Sequence, residues 1–319
     1  MAVSATEAAE PPAAPHGAGS APAGDAGRAA AGTHAPGALA PDVLLVAYLL
    51  VSAVLALAGG SRAGLELAAA HAAGAALVVL LARRPLPGGS ALRFLRIALP
   101  LVAIPVLYAE LRVLDQLLFH GYFDATVQGW ERTLFGTQLS LAAARALPYA
   151  WLSEILHAGY FSYYLIVPTA ALGAYLAGGD RGLERLTLTV SLAFFVCYLC
   201  FAVFPVAGPR YLFPPLEGAP ARGPVYALVH TVVEGGSSKG TAFPSSHVAA
   251  SVSALLGTWR DARRTFWILL LPVTALVIGT VYGRFHYGVD ALSGLVVAAT
   301  VFPVVPWLFR RLGGGAARP

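Results

Sequence analysis

Three short polar patches, at 208–210, 239–247 and 282–290, carry residue types that suit phosphoryl transfer. In the last patch, His286 and Asp290 are four residues apart, so on a helical turn they would share one face. A carboxylate there can hold an imidazole in one tautomer and leave the other ring nitrogen free to attack. This spacing predicts an oriented histidine nucleophile or base, although Asp290 would also serve as a dipole partner at a helix start.

The second patch offers another imidazole. His247 follows Pro244, Ser245 and Ser246, a sequence that indicates the start of a helix. The free N–H groups and the positive dipole end of such a start attract anions, and both serines are predicted to contribute to a phosphate site. His247 is predicted to protonate a leaving alkoxide.

Cationic side chains accompany all three patches. Arg210 and Arg284 are predicted phosphate ligands, because a guanidinium binds phosphate oxygens in a bidentate manner. Lys239 is the only lysine of the chain and lies eight residues before His247. It is predicted to join the phosphate site, with a simply solvated loop lysine as the alternative. No cluster of carboxylates or histidines indicates a metal site, so neither a metal nor another cofactor is expected.

The composition defines the kind of protein that must position these residues. Of 319 residues, 57% are hydrophobic and 12% charged, and the mean hydropathy is +0.69. Soluble proteins carry about 25% charged residues, so a cytosolic enzyme is excluded. A nucleic-acid binder is also excluded despite the pI of 9.4, because its basic residues would cluster on one exposed face. The composition indicates a polytopic membrane protein.

The predicted fold is an all-α membrane bundle of about eight spans with a six-helix catalytic core. A span needs about 20 apolar residues, and eight segments qualify: 42–59, 64–82, 91–111, 153–177, 185–206, 243–259, 265–283 and 288–309. The stretch 112–152 is more polar and favours an interfacial amphipathic helix.

The predicted domain organisation has four parts. Residues 1–40 form a disordered leader rich in Ala, Pro and Gly. Residues 41–90 supply two accessory spans, residues 91–312 the catalytic membrane domain, and residues 313–319 a flexible tail.

Eight spans would place both termini on one side of the membrane. That side would hold thirteen of the 21 basic residues, and positively charged loops stay in the cytoplasm. We therefore expect cytoplasmic termini and an extracytoplasmic site that contains all three polar patches.

The second and third patches resemble two signature motifs of the type-2 phosphatidic acid phosphatase superfamily. Residues 244–247 match its Pro-Ser-Gly-His motif except that Ser246 replaces glycine, and His286 with Asp290 matches the His-x-x-x-Asp part of its third motif. The first motif is absent, and Gly-Pro-Arg at 208–210 stands in its place. With this element and Arg284, the chain is most similar to the inositol phosphorylceramide synthase branch.

The resemblance implies a metal-independent membrane enzyme that acts on a lipid-linked phosphate. His286 would form a phosphohistidine with Asp290 orienting it, His247 would protonate the leaving oxygen, and the arginines would hold the phosphate. The substrate would be a phospholipid, sphingolipid or polyprenyl phosphate, with an alcohol as a possible acceptor and no nucleic acid as a partner. Inositol phosphate transfer is the leading expectation. Hydrolysis of a lipid phosphate or pyrophosphate is the alternative, and a non-catalytic transporter or scaffold is the third.

Overall fold

The computed structural model of the protein describes residues 39–312, and within that range it is helical and contains no strand. The predicted all-α membrane bundle is thereby confirmed. The predicted tail 313–319, and all of the predicted leader 1–40 except its last two residues, lie outside the described residues.

Thirteen α-helices follow one another along the described range. The first seven are α1 (Ala40–Ala58), α2 (Arg62–Ala82), α3 (Ala91–Ile97), α4 (Leu99–Leu114), α5 (Asp124–Phe135), α6 (Leu139–Ala146) and α7 (Ala150–Phe161). The remaining six are α8 (Tyr163–Val203), α9 (Pro209–Leu212), α10 (Pro224–Gly236), α11 (Ser246–Thr258), α12 (Arg263–Tyr282) and α13 (Gly288–Arg311). A 3-10 turn, Ala219–Ala221, precedes α10.

By length and apolar composition, five of the described helices could cross a membrane, or six if α3 and α4, bent by 49°, form one span. This count is lower than the predicted eight for two reasons. The 41-residue α8 counts once by length, although Gly179 (φ 55°, ψ −148°) interrupts its backbone and separates two helices that correspond to the fourth and fifth predicted spans. The sixth corresponds to α11, whose 13 residues are fewer than a full crossing requires. The chain is an integral membrane protein.

The short helix α11 lies at the centre of the bundle, against α8, α12 and α13. Small residues on its surface let neighbouring backbones approach closely, as is common between membrane helices. Where α13 crosses α11, a Cβ on Gly294 would lie 2.6 Å from the backbone oxygen of Ser245. This close approach fixes the start of α13 beside the start of α11.

The accessory hairpin of α1 and α2 packs on the same bundle. Tyr48 of α1 stacks on Phe195 of α8 with ring centroids 4.3 Å apart. His71 of α2 lies 2.8 Å from a carboxylate oxygen of Glu110 on α4. The pair links the hairpin to α4, which borders the candidate site.

The connections between helices gather at two ends of the bundle. With the adjoining helix turns, the site end contains 59–66, 110–162, 204–245 and 283–290, and the basic end contains 39–42, 83–98, 178–185, 258–264 and 310–312. The three polar patches all lie at or next to the site end.

Candidate active site

His286 lies in the short connection between α12 and α13, and its ring is held from one side. Its Nδ1–H donates to the backbone oxygen of Ala242 at 2.9 Å, and Nδ1 is 3.5 Å from Oδ2 of Asp290. Burial lowers the pKa of His286 to about 4, because desolvation penalises the imidazolium. The ring is therefore neutral at pH 7, with its proton on Nδ1 and the lone pair on Nε2.

Asp290 faces both the start of α13 and the ring of His286. It is fully buried in the first turn of α13, where Oδ2 accepts the backbone N–H of Tyr287 at 2.8 Å. The same oxygen faces Nδ1 of His286 at the longer distance of 3.5 Å. The carboxylate thus fixes the helix start that carries the histidine, while Ala242 provides the shorter contact to the ring.

His247 occupies the first turn of α11, as the Pro-Ser-Ser-His sequence predicts. Ser245 is the N-cap, and its hydroxyl accepts the backbone N–H of Val248 at 3.4 Å, so this serine has a structural role. The imidazole of His247 packs against Tyr163, with ring centroids 4.4 Å apart. The centroids of the two imidazoles, from His247 and His286, are 5.8 Å apart.

The two histidines line a small pocket of about 40 Å³, and Arg210 is the cation in its wall. The arginine follows Gly208, whose φ of 95° turns the chain into α9. Its guanidinium donates to the hydroxyl of Ser237 at 3.0 Å. The first and third polar patches, which are far apart in sequence, therefore meet at this pocket.

The other two predicted cations lie elsewhere. Arg284 is buried, and its guanidinium donates to the backbone oxygens of Pro214 and Pro215. Its backbone has a φ of 60°, and the side chain is not part of the pocket wall. Lys239 is exposed and places its ammonium 4.7 Å from the ring centroid of Tyr122, also outside the wall. These contacts do not favour the phosphate-binding roles predicted for either residue.

A larger cavity of about 410 Å³ adjoins the small pocket. His247, Tyr108 and Tyr160 line both, whereas Ser246 and Tyr163 line only the larger one. Its remaining walls are mostly apolar and aromatic side chains of α4, α8 and α10. A group attached to a phosphate in the small pocket would thus extend past His247 into a much larger space.

Two carboxylates that sequence reasoning missed hold these loops in place, and both belong to α5. The buried carboxylate of Asp124 accepts the backbone N–H groups of Ala207 and Gly208 at 2.8 and 2.9 Å. It also accepts the hydroxyl of Tyr287 at 2.9 Å. Asp124 therefore ties the Gly-Pro-Arg turn to the His286 connection.

Glu131 acts in the same way two turns further along α5. Its carboxylate is fully buried and accepts the N–H groups of Gly288 and Val289 at 3.0 and 2.8 Å, which are free at the start of α13. It also accepts the N–H of Leu139 at 3.0 Å. The signal in the sequence was two acidic residues seven apart, on one face of the segment predicted to be an interfacial amphipathic helix.

Within residues 39–312, no group of three or more His, Cys, Asp or Glu side chains is arranged to hold a metal ion. The polar groups of the small pocket are thus two imidazoles, one guanidinium and several hydroxyls, with Arg112 in the wall of the larger cavity and carboxylates behind the loops. This set can attack, protonate and bind a phosphoryl group.

Together, the helical membrane bundle and the paired histidines define a membrane protein of the phosphoryl-transfer type. A family model described as the PAP2 superfamily matches residues 125–304, which is more than half of the chain. The chain belongs to this superfamily, whose activity is of the lipid phosphatase or phosphotransferase type. The match contains every predicted site residue and leaves α1 to α4 outside. No curated protein and no solved structure matches the chain significantly.

Proposed function

We propose that the protein is a lipid phosphotransferase that works through a phosphohistidine on His286. Nε2 of His286 attacks phosphorus, a P–N bond forms, and the bond from phosphorus to the lipid or alcohol oxygen breaks. His247 donates a proton to the departing oxygen. The observation that carries the proposal is the pair of imidazoles 5.8 Å apart, one of which is held by its Nδ1 with Nε2 left for attack.

Arg210 is the cation proposed to stabilise the phosphoryl group, because it alone among the predicted cations lines the pocket with both histidines. Fixed donors aimed at developing charge supply much of the catalysis in phosphoryl transfer. Asp290 and Ala242 hold the nucleophile, and Arg284 supports the neighbouring loop through Pro215.

In the second half-reaction, His247 takes a proton from the acceptor, whose oxygen then attacks phosphorus and releases His286. The 410 Å³ cavity on the His247 side favours a bulky alcohol as the acceptor. This volume and the similarity of the motifs to the inositol phosphorylceramide synthase branch support transfer of inositol phosphate between lipids. If water takes the place of the alcohol, the same site hydrolyses a lipid phosphate, which is the second candidate.

Activity assays separate the two candidates. The purified protein is incubated with a chelator and with labelled phosphatidic acid, isoprenyl pyrophosphate or phosphatidylinositol, with and without ceramide as the acceptor lipid. We expect labelled headgroup on the acceptor, whereas release of free phosphate without an acceptor would indicate a phosphatase. Loss of activity with the chelator would contradict the metal-independent mechanism.

The nucleophile is tested by trapping the intermediate. A substrate labelled in its phosphate should transfer label to the protein, as an acid-labile and base-stable adduct that is characteristic of phosphohistidine. His286→Asn should abolish both adduct and turnover, while His120→Asn, at an exposed histidine outside the pocket, should leave both unchanged. Equal turnover by His286→Asn and the wild type would remove the enzymatic assignment.

A further inference from the structure

A separate cavity of about 320 Å³ lies at the basic end, between α8, α11 and α13. Arg185, Arg260 and Asp261 form its charged wall, and Leu256, Phe302 and Pro306 form its apolar wall. None of its lining residues contributes to the pockets beside His247 and His286.

The two arginines of this cavity are available to an anion. Arg260 is exposed, lies 5.8 Å from the ring centroid of Phe302, and has no carboxylate partner among residues 39–312. Arg185 pairs with Asp261, but both side chains are about 40% exposed (41% and 38%). Ion pairs this exposed contribute little to stability. A phosphate can therefore replace the Asp261 carboxylate beside Arg185 at a small cost in free energy.

Aromatic residues around the cavity mark the level of the lipid headgroups. Trp259 and Trp307 lie at the basic end, and the guanidinium groups of Arg263 and Arg311 lie 4.5 and 5.8 Å from their ring centroids. Tryptophan is enriched at the boundary between membrane and water. Arg260, next to Trp259 in sequence, is thus placed at headgroup depth, with the apolar wall of the cavity toward the acyl chains.

The charge of this end favours an anionic ligand. In the described residues it carries eleven arginines and four acidic residues. Each of the four carboxylates already has a partner: Asp42 with Arg96, Asp180 with Arg93, Asp261 with Arg185, and Glu184 with the backbone N–H of Ala40. The basic end therefore has a net positive charge that can attract anionic groups from outside the chain.

We propose that this cavity binds an anionic phospholipid of the leaflet opposite the candidate active site. Its phosphate contacts Arg260 and Arg185, and an acyl chain lies along Leu256 and Phe302. Basic pockets between membrane helices are suited to such headgroups, because cation and apolar surface are offered at the depths where a phospholipid needs them. The site is independent of the proposed phosphotransfer chemistry.

Binding is measured as stabilisation, since a ligand that prefers the folded state raises the melting temperature. The full chain in detergent is titrated with phosphatidylglycerol or with phosphatidylcholine of the same acyl chains. We expect phosphatidylglycerol to raise the melting temperature by several degrees and to remain bound in native mass spectrometry, with at most a small effect of phosphatidylcholine. An equal effect of both lipids would overturn the proposal.

Variants locate the site. Arg260→Gln should remove most of the shift and Arg185→Gln/Arg260→Gln nearly all of it, while Arg264→Gln, an exposed arginine of the same end outside the cavity, should retain it. The single variant at Arg260 suffices if the double variant does not fold. A full shift in Arg260→Gln, or an equal shift with soluble glycerol phosphate, would overturn the lipid site. His286→Asn should keep the shift, so that failure of the lipid site and failure of the proposed function are distinguishable.

Discussion

At the scale of single residues, the geometry of His286 decides which nitrogen can react. Both acceptors that surround it, the oxygens of Ala242 and Asp290, face Nδ1. Burial holds the pKa of the ring below its ordinary value of 6.5, so the ring stays neutral in mildly acidic solution. The free lone pair on Nε2 of His286 is therefore present before substrate binds.

This geometry predicts the acid limb of the pH profile. Only the neutral imidazole of His286 has a free lone pair on Nε2, so the acid limb of kcat/KM should lie near pH 4, well below 6.5. Phosphatidylinositol is the suitable substrate, because the charge of its phosphodiester stays constant in this range. An acid limb near pH 6.5, with the protein still folded by circular dichroism, would contradict the prediction.

The two arginines of the predicted phosphate site should respond differently to substitution. Arg210→Gln should lower kcat/KM by about 100-fold, the usual effect of losing one donor to a developing charge, with little change in melting temperature. Arg284→Gln should destabilise the fold by about 1–3 kcal/mol, because the buried side chain of Arg284 loses its hydrogen bonds to the backbone oxygens of Pro214 and Pro215. Thermal melts and steady-state kinetics on both variants provide the test. A large loss of activity in Arg284→Gln without loss of stability would instead place Arg284 on the phosphate.

These arginines also mark the limit of prediction from sequence. Both are arginines and suit phosphate equally well, so only their positions in the fold distinguish their roles. Arg210 follows a glycine turn that leads into the pocket, whereas Arg284, with a φ of 60°, contacts backbone oxygens 69 and 70 residues earlier in the chain. The pairing of His247 with His286 was predictable because each lies in a motif with defined spacing at a span end. The direction of an arginine side chain was not.

At the scale of elements, α5 connects the parts of the candidate site. Its two buried carboxylates accept N–H groups from the turn before α9 and from the start of α13. Acidic side chains at a helix start also interact favourably with the dipole. These contacts join residues more than 80 positions apart. Their donors are backbone N–H groups, which do not depend on residue type and so cannot be identified from the sequence. Sequence reasoning could place α5 at an interface, but it could not identify what α5 holds.

The role of α5 predicts a specific effect of Asp124→Asn. The amide keeps one oxygen and replaces the other by an NH2 group, so one of the two backbone N–H groups of Ala207 and Gly208 loses its acceptor, and the variant should lose about 1.5–3 kcal/mol of stability. It should also lose at least 10-fold in kcat, because the Arg210 turn and the His286 connection are no longer tied together. Glu66→Gln, which changes the same charge at an exposed position, should alter neither quantity. Normal kcat in Asp124→Asn, measured with its melting temperature, would contradict a positioning role.

At the scale of the whole molecule, the two ends of the bundle differ in charge. The basic end carries eleven arginines and four acidic residues, whereas the site end carries eight basic and nine acidic residues, counted over the described range. The predicted positions of the apolar segments were sound because hydropathy reports burial in lipid directly. The lengths of the helices were not predictable, since neither the shortness of α11 nor the bend between α3 and α4 is visible in hydropathy.

The charge difference predicts the orientation of the chain, because arginine-rich ends stay in the cytoplasm. In a background with Cys197→Ala and Cys200→Ala, Arg222→Cys at the site end should react with a membrane-impermeant maleimide in intact cells. Arg264→Cys at the basic end should react only after permeabilisation. Arg264 is exposed and Arg222 lies in a surface loop, so reactivity reports the side of the membrane rather than burial. The reverse pattern would place the two histidines on the cytoplasmic face, where the lipid donors and acceptors available to the site would be those of the other leaflet.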